Sequence, residues 1–121
     1  MNSFDFINAM AYDQTGSWNP SLSGQHSTFE FAQTALNYFE TNYSIPDNKI
    51  IVGVPFYGVD FDHPEKPGTQ ISYNEVIQRF GNQVATLDNK NKVWWNGSET
   101  IEKKVELAHN SKSGGIMIWH L

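Results

Sequence analysis

Three short apolar runs along the chain predict buried β-strands. The first covers Phe4 to Tyr12, the second Lys49 to Val54 and the third Gly114 to Trp119. The runs place apolar residues on both faces, and the second is rich in β-branched residues, which is typical of strands covered on both sides of a sheet. We expect Pro55 and Gly58 to close the second strand.

A helical pattern lies between the first and second strands. Ser27 and Glu30 have the spacing of a capping box, so a helix is expected to start near Ser27. The apolar positions that follow recur at helical spacing and predict one buried stripe. These positions are Phe31, Ala32, Ala35, Leu36 and Phe39. Residues 42–46 are expected to end the helix.

Two more helices are predicted before the third strand. Ser72 and Glu75 form a second candidate capping box, ahead of a short helix that ends near Phe80. A longer helix is predicted over residues 98–110. Its apolar face is expected to hold Ile101, Val105 and Ala108. Loops are predicted over residues 16–25 and 82–91, and a long polar connection after Gly58.

The order of these elements predicts an α/β fold. Buried strands that alternate with helices indicate a parallel sheet with right-handed crossovers, here of three strands in chain order. A complete (β/α)8 barrel takes roughly 250 residues, whereas this chain has 121. The pattern therefore predicts a fragment of a TIM barrel, about three parallel strands with crossover helices. Its open sheet edges make an oligomer possible.

Composition excludes several classes of function. The formal net charge is −5 and no Lys/Arg cluster is present, which argues against a nucleic-acid partner. No apolar run reaches membrane-spanning length, and the first residues lack the pattern of a signal peptide. With no cysteine, scattered histidines and no glycine-rich phosphate motif, neither a metal nor another cofactor is expected.

Candidate chemistry collects at the predicted carboxyl ends of the strands, where ligands bind in α/β sheets. These ends carry Tyr12 and Asp13, then Tyr57, then Trp119. Aromatic faces with a few polar groups suit a sugar ring, whose C–H faces stack while its hydroxyls form hydrogen bonds. Each aromatic residue alone is more readily a core residue, but three of them at the same end of the sheet favour a site. The pair Trp94 and Trp95 is similarly open: one could stack on a sugar, or one could pack on the third helix.

Three of these segments resemble the family-18 glycoside hydrolases, the chitinases and their relatives. Met10-Ala11-Tyr12-Asp13 is similar to the Met-x-Tyr-Asp motif on the sixth strand of that family's barrel. Val52 to Gly58 is similar to the seventh strand, and Gly114 to Trp119 to the eighth. Trp94 to Gly97 is also similar to bacterial members. The resemblance implies that residues 1–121 are the C-terminal portion of a family-18 catalytic domain.

The resemblance also implies a reaction and a set of site residues. In the family, the acetamido carbonyl of the substrate attacks its own anomeric carbon while a glutamic acid protonates the leaving oxygen, a substrate-assisted retaining route. The substrate is a polymer or oligosaccharide of β-1,4-linked N-acetylglucosamine, such as chitin. Tyr12 would position the acetamido group, and Asp13 would bind the sugar or orient that group. Met10 and Trp119 would form the apolar floor, and Tyr57 would touch a neighbouring subsite.

The chain also departs from the family pattern. The motif Asp-x-x-Asp-x-Asp-x-Glu, which holds the proton donor, is absent, and Asp60 to Glu65 has the wrong spacing for it. Val59 stands where many members carry arginine. The isolated chain is therefore expected to be inactive. Two alternatives stay open, a non-catalytic chitinase-like carbohydrate-binding protein and a freestanding three-stranded α/β domain. For the whole protein, the resemblance implies a secreted or cell-surface location.

Overall fold

The computed structural model describes residues 3–121, which form seven strands and three α-helices. In chain order these are β1 (Ile7–Ala9), α1 (Phe29–Tyr43), β2 (Ile50–Pro55), β3 (Tyr57–Asp60), β4 (Thr69–Ser72), α2 (Tyr73–Phe80), β5 (Asn89–Lys90), β6 (Val93–Trp94), α3 (Ser98–Asn110) and β7 (Gly115–Trp119). Short 3-10 turns cover Asp47–Lys49 and Asn82–Val84. Within the described residues, no helix is both long and apolar enough to cross a membrane.

The first sheet is parallel and has the strand order β1-β2-β7. Ile7 pairs with Ile50, and Pro55 pairs with Trp119 at the other end of the sheet. The predicted arrangement of three adjacent parallel strands in chain order is thus confirmed.

Two of the three strands are less buried than their apolar sequences predicted. β1 covers three residues instead of the nine from Phe4 to Tyr12, and Phe4 and Phe6 are exposed. β7 has its last two residues exposed. Each of these strands pairs with β2 alone in this sheet, so only β2 has neighbours on both sides. The apolar runs of β1 and β7 are typical of strands buried on both faces, but an open three-stranded sheet does not bury its two edge strands in that way.

One face of this sheet packs on α1 and α3. Ile50, Val52 and Val54 form the core with the helical residues Ala32, Leu36 and Ala108. Phe31, Ala35 and Phe39 complete the predicted stripe, partly buried against the same core. On α3 the predicted apolar face is only partly correct: Val105 is exposed, and Lys104 is fully buried one residue earlier.

The start of α1 differs from the predicted capping box by one residue. Thr28 is the N-cap, and its Oγ1 accepts a hydrogen bond from the Phe31 N–H at 3.0 Å. Ser27 is buried instead, where its hydroxyl donates to the Ala11 carbonyl at 2.5 Å and accepts from the Lys104 ammonium at 2.7 Å. Ser27 and Thr28 both fit the helix start by residue type. The buried Lys104 forms a hydrogen bond with Ser27, and Thr28 is left as the cap.

The segment predicted as a polar connection folds into a second, antiparallel sheet with the order β4-β3-β6-β5. This corrects the prediction that Gly58 helps to close the second strand, because Gly58 lies inside β3. α2 packs on the sheet, and its predicted Ser72–Glu75 capping box is present. The strands of this sheet have only two to four residues each, so no long apolar run marks them.

The second sheet has its own hydrophobic core, which contains Trp95. The indole is fully buried and stacks on Phe80 of α2, with the ring centroids 6.0 Å apart. Trp95 therefore packs on α2, whereas the sequence had left open sugar stacking or packing on the third helix for one of the two tryptophans. Trp94 is partly buried, and its Nε1–H donates to the Ser23 hydroxyl at 3.0 Å. The other members of this core are Ile71, Val76, Val84 and Val93.

Candidate functional site

Asp13 lies at the carboxyl end of the parallel sheet with an unusual backbone. Its φ is 62°, in the left-handed region that aspartate tolerates better than most residues. Two hydrogen bonds to His26 hold the turn. The Asp13 N–H donates to Nδ1 of His26 at 3.4 Å, and the Gln14 N–H donates to the His26 carbonyl at 2.8 Å.

The carboxylate of Asp13 joins the two sheets. Its Oδ1 accepts a short hydrogen bond from the Tyr57 hydroxyl and a second from the Gln70 side-chain amide at 3.2 Å. Tyr57 opens β3 and Gln70 lies on β4, while Asp13 follows β1. A hydrogen bond to an ionised oxygen is stronger than one between neutral groups. The two hydrogen bonds therefore fix the position of the Asp13 carboxylate relative to both sheets.

Tyr12 and Tyr57 form an aromatic wall next to this carboxylate. Their rings meet edge to face with centroids 6.1 Å apart. Gly53 of β2 makes room for β1 and for this wall, since a Cβ there would lie 2.8 Å from the Ala9 carbonyl oxygen and 3.0 Å from the Tyr12 ring. The glycine in the second apolar run thus has a steric role at the site.

Both phenols stay protonated at neutral pH. Burial raises the pKa of Tyr57, and the hydrogen bond to Asp13 raises it further. Burial also raises the pKa of Tyr12, with a smaller contribution from the Asp13 charge. A protonated phenol offers a hydrogen-bond donor, and the ionised carboxylate offers acceptors.

His26 lies beneath Tyr57, fully buried. Its ring centroid is 4.8 Å from that of Tyr57, at an interplanar angle of 30°. Burial lowers the pKa of His26 to about 4, although the nearby Asp13 charge opposes the shift. The imidazole is therefore neutral at pH 7, and its Nδ1 lone pair faces the Asp13 N–H.

Met10 and Trp119 lie at the same end of the parallel sheet but are far more exposed. Trp119 ends β7 opposite Pro55 and is 50% exposed. Met10 is 68% exposed and borders an open groove beside α1, lined by Asn8 and Phe31 among others. The structure thus brings Tyr12, Asp13 and Tyr57 together, with Met10 and Trp119 as exposed apolar groups at that end.

A cleft of about 290 Å³ lies beside Gln70. Trp18 lines it and is 64% exposed, although its ring packs against Gly16, where a Cβ would clash at 2.3 Å. Lys66 and Val59 also line the cleft. An exposed indole next to polar side chains has the composition of a sugar-binding surface. Within residues 3–121, no group of three His, Cys, Asp or Glu side chains is placed to hold a metal ion.

The whole sequence matches one family model from end to end. The model describes "Glycosyl hydrolases family 18" and covers residues 1–121. The chain belongs to glycosyl hydrolase family 18. This membership confirms the predicted family.

Solved structures and curated proteins give the same picture. The chain is similar to the chitinase ChiB from the chitin utilization locus of Flavobacterium johnsoniae, at 48% identity and a TM-score of 0.89, over 99% of this chain and 37% of that one. A chitinase from Bacteroides thetaiotaomicron shows 30% identity and a TM-score of 0.89, over 97% and 38%. Among curated proteins, the uncharacterized glycosylase YvbX of Bacillus subtilis is 25% identical over 97% of this chain and 38% of its own length.

The chain thus spans just under two fifths of the length of these relatives. An open parallel sheet with flanking helices is what part of such a family-18 barrel should contain. The predicted fold class, an α/β fragment of a TIM barrel, is confirmed. The roles of Met10, Tyr12, Asp13, Tyr57 and Trp119 stay predictions.

Three residues of the site carried no usable sequence signal. Gln70 lies in the segment predicted as a polar connection, and His26 is one of four scattered histidines. Trp18 lies in a predicted loop. The second sheet brings Gln70 to Asp13, and the fold of the 14–27 loop brings His26 to Asp13 and Trp18 beside Gln70. The sequence predicted a loop at residues 16–25 but neither its fold nor the second sheet.

Proposed function

We propose that this chain is part of a chitinase that hydrolyses β-1,4 links between N-acetylglucosamine units by the substrate-assisted retaining route. The observation that carries the proposal is the Asp13 carboxylate held between Tyr57 and Gln70, with Tyr12 beside it. Membership in family 18 and the similarity to a chitinase from a chitin utilization locus support the choice of substrate.

In this proposal, Asp13 and the two tyrosines act on the acetamido side of the sugar. The acetamido oxygen attacks the anomeric carbon, and positive charge develops on the resulting ring. A fixed carboxylate stabilises that charge without having to reorganise during the reaction. Tyr12 donates a hydrogen bond that orients the acetamido group, and Tyr57 holds Asp13 in place. Trp119, Met10 and Trp18 supply apolar contact for the sugar rings.

The leaving oxygen also needs a proton, which these residues do not supply in the proposal. General acid catalysis typically contributes about 10²–10⁴-fold, and the Asp-x-x-Asp-x-Asp-x-Glu motif does not occur in the 121 residues. We therefore propose that the acid lies elsewhere in a longer polypeptide and that the isolated chain has no chitinase activity. Because solid chitin cannot enter a cell, the whole protein is proposed to act outside the cell or at its surface.

A chimera tests the proposal directly. Residues 1–121 would replace the matching segment of the Flavobacterium johnsoniae chitinase, and release of a fluorescent aglycone from a chitobioside would be measured. We expect turnover from the chimera and none above the buffer blank from the isolated chain. An inactive but folded chimera, or an isolated chain whose activity Asp13→Ala abolishes, would contradict the proposal.

Variants of the chimera assign the chemistry to Asp13. Asp13→Asn keeps the turn but removes the charge, and we expect kcat to fall on the order of 10²–10³-fold. Asp47→Asn is the matched control, because Asp47 lies just before β2, at the opposite end of the sheet. Equal effects of the two substitutions would show that the charge at Asp13 has no special role.

The second candidate function is carbohydrate binding without hydrolysis. The exposed indoles of Trp18 and Trp119, together with the missing acid motif, favour it. Calorimetry with an N-acetylglucosamine oligosaccharide separates the two functions. Binding by a chimera that shows no turnover, lost in Trp119→Ala, would support the binding protein over the enzyme.

A further inference from the structure

We propose that His26 is a positioning residue that sets both the backbone of Asp13 and the ring plane of Tyr57. The effect of His26 on catalysis rests on the proposed function, but its effect on the geometry of Asp13 and Tyr57 does not. The His26 side chain is fully buried beneath Tyr57, so a bound substrate would not contact it. Any effect on the reaction must therefore pass through the two residues above it.

The first contact acts on the Asp13 backbone. A positive φ is strained for a non-glycine residue and persists only where the surrounding structure holds it. His26 accepts the Asp13 N–H through Nδ1 and the Gln14 N–H through its carbonyl, so both of its acceptors are directed at this turn. The left-handed backbone aims the carboxylate of Asp13 at Tyr57 and Gln70.

The second contact acts on the Tyr57 ring. The imidazole is tilted by 30° from that ring and packs against it, while Tyr12 meets it edge-on at 81°. The two neighbours therefore restrain the Tyr57 ring from two different directions. A restrained ring keeps its hydroxyl on the Asp13 carboxylate, which saves conformational entropy when a substrate binds.

His26 itself is anchored from the opposite side. The buried Lys104 ammonium donates to the Ser27 carbonyl at 2.9 Å, the Ser27 hydroxyl at 2.7 Å and the Asn96 amide oxygen at 2.6 Å. Asn96 donates in turn to the Ser27 carbonyl at 2.9 Å. The residue after His26 is thus tied to α3 and to the segment after β6, independently of Asp13.

Histidine combines two features that other residues supply only singly. It has a flat ring for Tyr57 and an acceptor at the ring edge for Asp13. Burial keeps the imidazole neutral, so the acceptor lone pair is available at neutral pH. Its Nε2 has no hydrogen-bond partner among residues 3–121, a cost that a phenylalanine of similar shape would avoid. A purely space-filling role does not explain that cost.

Two substitutions separate the two contacts in the full 121-residue chain. His26→Phe keeps the ring and removes the acceptor, whereas His26→Asn keeps an acceptor and removes the ring. NMR would follow the φ of Asp13 through three-bond couplings, its amide exchange, and the ring resonances of Tyr57. His109→Asn is the control, because His109 is an exposed histidine on α3.

We expect His26→Phe to lose the positive φ of Asp13 and to speed exchange of its amide. His26→Asn should restore the positive φ while the Tyr57 ring resonances shift and ring flipping accelerates. An unchanged Asp13 turn in His26→Phe would overturn the proposal. Unfolding of both variants under conditions where His109→Asn folds would also overturn it, because His26 would then be a residue of the core alone.

Kinetics in the chimera add the catalytic consequence. Misplacement of a catalytic group by about 1 Å can cost roughly 10²-fold in rate. We expect either His26 variant to lower kcat by up to about that factor with little change in KM. An inactive parent chimera would contradict the proposed function, and the NMR result would still decide the role of His26. A rise in KM alone would overturn the positioning role.

Discussion

The parallel and antiparallel sheets bury their apolar residues very differently. The parallel sheet comes from strongly apolar segments, yet Phe6 and Met10 beside β1 and Ile118 and Trp119 of β7 are all between 43% and 68% exposed. The antiparallel sheet has strands of two to four residues and still buries Val76, Val84, Val93 and Trp95 to 2% exposure or less. Its helix α2 and its turns close a core locally, whereas the parallel sheet has cover on one face only.

This difference shows where the candidate site gets its rigidity. Asp13 belongs to the sheet that is open, and its partners Tyr57 and Gln70 belong to the one that is closed. A loop from an incomplete sheet is thus held against a small self-contained unit. Damage to the core of the antiparallel sheet should therefore cost more stability than damage to the exposed parts of the parallel sheet.

The largest expected effect comes from Trp95. Trp95→Ala removes a fully buried indole that stacks on Phe80, and such truncations cost about 3–5 kcal/mol. Trp119→Ala is the matched control, since that indole is half exposed and should stay within about 0.5 kcal/mol. Urea denaturation of both variants measures the free energies of unfolding. Similar losses of unfolding free energy in the two variants would contradict the distinction between a closed antiparallel sheet and an open parallel one.

Acid should weaken the contact between the two sheets through His26. Its pKa is lowered to about 4 in the folded state from 6.5, so between these values the unfolded chain binds more protons. The free energy of unfolding therefore falls as the pH drops from 6.5 to 4, by about 3 kcal/mol in all. His26→Phe should remove this part of the pH dependence, and His109→Asn should keep it. Denaturation at each pH measures the free energy of unfolding of both variants. An equal dependence of that free energy on pH in the two variants would contradict the assignment.

A smaller effect is expected from the ion pair in the antiparallel sheet. Arg79 of α2 donates to the buried Asp60 carboxylate at 2.7 Å, and the arginine side chain is 42% exposed. Arg79→Ala leaves that carboxylate without a charged partner, which should cost about 2 kcal/mol, between the values for exposed and buried pairs. Arg79→Lys should recover part of the loss. Thermal unfolding at low and high salt would check both, and full insensitivity of Arg79→Ala would refute the expectation.

The smallest effect concerns the start of α2. Ser72→Ala removes the hydroxyl that accepts the Glu75 N–H at 3.1 Å and should cost about 1 kcal/mol. Ser98→Ala is the control, because Ser98 is the first residue of α3 and Gly97, not Ser98, is its N-cap. A shift in the urea midpoint for Ser72→Ala alone is the expected result. Equal shifts would show that the capping box contributes nothing specific.

The sequence predicted those elements whose pattern is long and regular. α1, α3 and β2 show clear periodicity or a continuous apolar run, and the structure places them as expected. The four antiparallel strands are too short to show an alternation of apolar and polar residues, so the sequence did not predict their sheet. Ser27 and Thr28 fit a helix cap equally well from sequence. Only the buried Lys104 decides between them.

The site was predictable to a similar extent. Tyr12, Asp13 and Tyr57 were found because they follow apolar runs, and a parallel sheet brings such ends together. Gln70 and His26 reach Asp13 through tertiary contacts across 57 and 13 residues of sequence. No local pattern encodes contacts of that kind. Their identification needed the second sheet and the folded loop.

The left-handed backbone of Asp13 also limits how this position can change during evolution. At a φ of 62°, asparagine and glycine are the replacements that avoid strain. Glutamate would keep the charge but lose the turn, so a conservative exchange of one acid for another is disfavoured. Drift at this position therefore leads to asparagine, which keeps the shape and the hydrogen bonds and loses the charge. Under the proposed function, one such step lowers turnover while the aromatic residues around the carboxylate stay in place.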